Sequence, residues 1–118
     1  MNAKNDSRKQ RDAAFGEFVR SKRLDLNIGL RDFASRLALS PAFISKMEIG
    51  DYKPPKEENI IKMAEILKVD KDFLLAKADK VSSDLQNIIK TKPDLYASLL
   101  RRAKPQHLEQ FLNNLEED

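Results

Sequence analysis

The stretch from Gly29 to Gly50 constrains this chain more than any other: Gly-Leu-Arg-Asp-Phe-Ala-Ser-Arg-Leu-Ala-Leu-Ser-Pro-Ala-Phe-Ile-Ser-Lys-Met-Glu-Ile-Gly. Phe33, Ala34 and Leu37 fall at i, i+1 and i+4, one apolar stripe of a helix. Ser40 is able to accept from the free N–H groups of a new helix, and Pro41 suits its first position, where no donor is needed. Ile44 and Met47 give that helix a narrow apolar face, and Gly50 supplies a left-handed stop. The pattern predicts helices over 29–37 and 40–49, with only Ala38 and Leu39 between them.

The flanking residues extend the helical pattern in both directions. A first helix over 13–26 turns Phe15, Phe18, Val19 and Leu26 inward, and Asn27 tolerates the left-handed conformation at its end. Proline and lysine make residues 51–56 a loop. A fourth helix over 57–67 carries Ile60, Met63, Ala64 and Leu67 at i, i+3, i+4 and i+7. Asp70 caps a short fifth helix with Phe73 and Leu74. Five such helices, residues 13–78, enclose one small core. Past Lys77 the pattern changes. Ser82 or Ser83 caps a helix with Leu85, Ile88 and Ile89; Pro93 opens one with Leu95, Tyr96, Leu99 and Leu100; Pro105 opens a third with Leu108, Phe111, Leu112 and Leu115. These three are too small to make a core of their own. They pack on the five-helix domain, on a second copy of the chain, or on another protein. The expected fold is all-α, a five-helix domain with a small helical extension over 79–118.

Composition removes several classes of function. There is no cysteine, which excludes a disulfide scaffold or thiolate metal site and suits the cytoplasm. A single histidine, His107, argues against imidazole catalysis and zinc. The three glycines, at 16, 29 and 50, form no phosphate-cradling loop. No catalytic residue, metal or cofactor is therefore expected. No apolar run approaches the roughly 18 residues of a membrane span, and residues 1–12 lack the apolar core of a secretory signal. Charge is segregated: residues 1–56 hold 12 Lys or Arg against 7 Asp or Glu, whereas residues 57–118 hold 10 against 12. A positive half coinciding with the paired short helices suits a phosphate-facing surface.

From Phe18 to Leu75 the chain resembles the phage-repressor (Cro and repressor, or XRE) helix-turn-helix domains. The matching pieces are Val19-Arg20-Ser21-Lys22-Arg23, Leu30-Arg31-Asp32-Phe33-Ala34, Ser40-Pro41-Ala42-Phe43-Ile44-Ser45-Lys46-Met47-Glu48, and Asp72-Phe73-Leu74-Leu75. The chain departs from the pattern at Ala38, where a turn glycine is usual, and in residues 52–59, which are longer than in the shortest members. The resemblance implies that the second short helix enters the major groove of DNA. Base contacts would then fall on Pro41, Ala42, Ser45 and Lys46, with Lys46 suited to guanine O6 or N7. Phe43 either touches thymine methyls or closes the core or a dimer contact. Phosphate contacts would come from Arg31, Ser40 and the free N–H groups beside them, and from Lys53 and Lys56. Leu30 replaces a glutamine that often contacts phosphate, and a leucine makes no such contact. Arg23 and Glu48 match a buried structural ion pair of the family. Residues 1–12, with Lys4, Arg8, Lys9 and Arg11, read as a flexible arm: either a terminus without a role or a basic segment following the DNA backbone.

The leading expectation is a transcriptional regulator, a repressor binding an inverted repeat of double-stranded DNA as a homodimer. Leu95, Leu99, Leu108, Phe111, Leu112 and Leu115 would form the dimer or partner interface. The alternative is an antitoxin or protease-controlled regulator whose C-terminal helices hold a partner protein.

Overall fold

The computed structural model describes residues 3–116, and every regular element among them is helical. The order is α1 (Ala3–Asp25), α2 (Leu30–Leu37), α3 (Pro41–Glu48), α4 (Glu57–Leu67), α5 (Lys71–Lys77), α6 (Ser83–Thr91), α7 (Pro93–Arg102) and α8 (Pro105–Glu116). They fall into two compact units, Met1–Ser82 and Ser83–Asp118. No described helix is long and apolar enough to cross a membrane.

The first unit is built around the side chains that helical periodicity sets on one face. Phe15 and Val19 of α1, Phe33, Ala34 and Leu37 of α2, Ile44 and Met47 of α3, Ile60, Met63, Ala64 and Leu67 of α4, and Leu74 and Leu75 of α5 form one buried cluster. The turns between helices use left-handed residues, Asn27 (φ 57°), Ala38 (φ 55°) and Lys68 (φ 59°). At Ala38 an ordinary L-residue occupies a conformation that favours glycine, and its N–H group donates to Ser35 O at 3.1 Å while Leu39 N–H closes onto Ala34 O at 2.9 Å.

Three expectations need correction here. The N-terminal arm is not an irregular segment: α1 reaches back to Ala3, and of residues 1–12 only the first two lie outside the described chain. Residues 3–12 contain no glycine or proline, and six of the ten (Ala3, Lys4, Arg8, Lys9, Gln10 and Arg11) are good helix formers, so nothing stops the helix propagating outward from the packed turn at Phe15. Leu26 does not face the core; it lies past α1 and is 37% exposed, and Ile28 packs against the core after the turn. Phe73 is 52% exposed, tilted against Phe18 with centroids 5.7 Å apart, and Leu75 is buried beside Leu74.

Two glycines make a contact that periodicity alone does not reveal. A Cβ on Gly16 would lie 2.2 Å from the carbonyl oxygen of Met47 and 2.6 Å from that of Glu48. Gly50 has φ +86°, and a Cβ there would stand 2.8 Å from Ala13 Cα. Helix α1 therefore lies against the C-terminal end of α3 with no side chain between the backbones, and this close approach fixes the tilt of α3.

In the second unit α6 packs against α7, and none of the three helices contains a buried residue. Pro93 opens α7 and Pro105 opens α8, positions where a missing N–H group loses nothing.

Candidate nucleic-acid interface

Helix α3 is held by its ends and by one face. At its start the Ser40 hydroxyl accepts from Phe43 N–H at 3.0 Å, and Pro41 occupies the first turn. Ile44, Met47 and Glu48 are buried, whereas Pro41, Ala42, Ser45 and Lys46 are exposed. A face of small, polar and cationic groups is thus presented on a helix whose opposite face is locked into the core. Phe43 does not belong to the fully exposed set: it is half-buried and packs against the core. Its outer edge meets Tyr52, with ring centroids 5.7 Å apart and planes at 36°. Lys46 Nζ stands 5.5 Å from the centre of the same Tyr52 ring, within reach of cation–π attraction. Tyr52 had no periodic signal to reveal it, since it follows the left-handed Gly50 in a loop.

At the other end, Arg23 Nε donates to Glu48 Oε2 at 2.8 Å and Nη2 to Oε1 at 2.9 Å. A third donor, Nη1, reaches the Ile28 carbonyl at 2.8 Å. The two side chains are 7% and 3% exposed. Hydrogen bonding to the Glu48 carboxylate holds the Arg23 guanidinium above its usual range, against the opposing effect of burial and with help from the carboxylate charge. One buried pair thereby joins the last turn of α1, the turn into α2 and the end of α3. Ile28 O had no sequence signal as its third partner.

Arg31 is exposed in the first turn of α2, beside free backbone N–H groups. Leu30 is half-buried against the core, so this position contributes packing. Arg36 is engaged with Asp32 at 2.8 Å, one helical turn away. Lys53 is exposed in the loop after α3; Lys56 is the N-terminal flanking residue of α4, with Nζ 3.3 Å from Glu58 Oε1. In the second unit, Leu95, Leu99, Leu108, Phe111, Leu112 and Leu115 are all exposed, between 36% and 63%. Leu95 and Leu99 line a groove along α7 with Ser98, Arg102 and Ala103.

The helix-turn-helix domain family matches residues 16–80. Among solved structures, one of the clp gene regulator ClgR from Corynebacterium glutamicum is 25% identical, with a TM-score of 0.50 over 75% of this chain and 88% of the other. A second ClgR structure, from C. glutamicum, is 26% identical, with a TM-score of 0.49 over 58% and 88%. A SinR protein/SinI protein complex is 16% identical, with a TM-score of 0.49 over 86% and 94%. A search of curated proteins finds no match. The chain belongs to the helix-turn-helix family of DNA-binding transcription regulators, of the phage-repressor (XRE) type.

Proposed function

We propose that the chain is a repressor that binds an inverted-repeat operator as a homodimer, without catalysis. The observation that carries this reading is the division of α3 into a locked face, Ile44, Met47 and Glu48, and an open face, Pro41, Ala42, Ser45 and Lys46. In the bound state the open face reads base edges, Lys46 donating to guanine and Ala42 touching a thymine methyl. Phe43 adds apolar contact only through its half-exposed edge. Arg31, Ser40, Lys53, Lys56 and the first N–H groups of α2 and α3 contact phosphate, setting the register. The Tyr52 ring holds the Lys46 ammonium beside the readout face until guanine competes for it.

Two-fold assembly is supported by the exposed apolar side chains of α6–α8 and by the short reach of one recognition helix. Leu95 and Leu99 of α7, with Leu108, Phe111, Leu112 and Leu115 of α8, form the interface between copies. ClgR is a clp gene regulator, and its likeness to this chain supports transcriptional control as the output.

The test is enrichment of duplexes from a random library by the full-length protein, followed by mass measurement of the complex. An enriched inverted repeat bound by two chains is expected. Enrichment of a single unpaired half-site bound by one chain, or no enrichment, overturns the reading. Recovery of a stable heterocomplex in place of the homodimer replaces the assembly with one built around another protein.

A further inference from the structure

The first unit contains a cavity of about 240 Å³ that includes none of the open-face residues of α3 in its lining, and its wall is dominated by cations, of which Lys53 alone is shared with the proposed operator contacts. Arg8 and Arg11 approach it from α1, three residues apart and therefore on one helical face. Lys53 comes from the loop after α3, and Lys77 and Lys80 from the end of α5. Two carboxylates share the wall, Asp12 and Asp79. Arg11 takes up Asp79 at 3.6 Å, and the Lys77 ammonium is drawn to the rings of Phe18 and Phe73, at 4.9 and 5.2 Å from their centres. Among the described residues, Arg8, Lys53 and Lys80 enter no ion pair. Three unpaired cations in a concave site repel one another, and the field they focus raises the local concentration of anions.

The chain folds so as to bring these groups together. The backward extension of α1 carries Arg8 to the wall, and the left-handed Asp79 (φ 63°) turns the backbone after α5 so that Lys80 follows Lys77 onto the same wall. The volume is too small for a large organic ligand and suits a few tetrahedral anions. A planar guanidinium with ammonium groups around it matches phosphate oxygens better than a single carboxylate. We infer that this cavity is a phosphate-binding site, filled either by a free polyphosphate-type anion or by backbone phosphates of DNA beyond the operator contacts.

The experiment uses full-length protein and a variant carrying Arg8→Gln and Lys80→Gln, neither of which is part of the proposed operator-reading set. Calorimetric titration with tripolyphosphate at constant ionic strength is run beside titration of a short random-sequence duplex over a range of salt. For a free anion, tripolyphosphate binds saturably, the double substitution weakens it at least about tenfold, and the salt slope for DNA is unchanged. For DNA backbone, tripolyphosphate does not saturate and the salt slope falls by about one for each cation removed. An unchanged thermal melt of the variant shows that the fold is retained in either case. The free-anion arm contains no DNA, so its result is independent of operator binding. Wild-type and variant proteins alike in both titrations would overturn the site.

Discussion

Helices α1–α5 and α6–α8 carry apolar stripes of the same period, yet their side chains end in opposite environments. Every buried hydrophobic residue of the described chain lies in α1–α5, and α6–α8 have none. Phe15 is fully buried, whereas Phe111 is 63% exposed. A 3.6-residue period specifies that a helix has a face to cover, but not what covers it. In the first unit five helices cover one another. In the second, each helix offers three or four large apolar side chains, too few to surround a centre.

That contrast gives its largest effect on replacing the two phenylalanines. Phe15→Ala should destabilise the first unit by about 3–5 kcal/mol in denaturant unfolding. Phe111→Ala should leave that transition in place while weakening self-association in sedimentation. Equal losses of stability would erase the distinction between the units. Within the first unit, Glu48→Ala should lower stability by about 3–5 kcal/mol, because the Arg23 guanidinium stays buried without its carboxylate. An unchanged melting temperature would show the pair to be dispensable. Gly16→Ala should lower stability by about 3 kcal/mol, since the new methyl meets the Met47 carbonyl and forces α1 away from α3. A neutral outcome would mean that the two helices do not meet so closely. The smallest effect is on the open face: Lys46→Ala should weaken specific operator binding by about 1–3 kcal/mol with no change in unfolding. An equal loss on random duplexes would reassign Lys46 to phosphate.

The sequence showed most of the first unit because its signals are local. Ser40 and Asp70 stand as caps where their side chains accept from Phe43 N–H and Phe73 N–H, and α4 runs over the residues its stripe predicts. The all-α fold and the five-helix domain were legible on that basis. What escaped was non-local or without period. Gly16 sits within a helix, where nothing nearby in sequence announces that α3 ends against it. Tyr52 and Phe43 meet across the left-handed Gly50, and the Ile28 carbonyl joins Arg23 through a turn. Charge misled at the N-terminus: dense Lys and Arg in residues 4–11 suggested an arm without structure, but these are also strong helix formers and carry α1 outward to the phosphate cavity. For the open face of α3, sequence marked Pro41, Ala42, Ser45 and Lys46 as outward but left Phe43 open between DNA and core, and that side chain is half-buried against the core; contact with DNA is a property of the complex.

The most direct test of a self-sufficient first unit and an assembling second one is truncation after Ser82, read by light scattering and titration of the inverted repeat. The account predicts a chain that still unfolds cooperatively, scatters as a monomer and loses at least about 100-fold in affinity for the repeat, as two linked recognition helices become separate. A truncated chain that remains a dimer and binds the repeat with full affinity would contradict it.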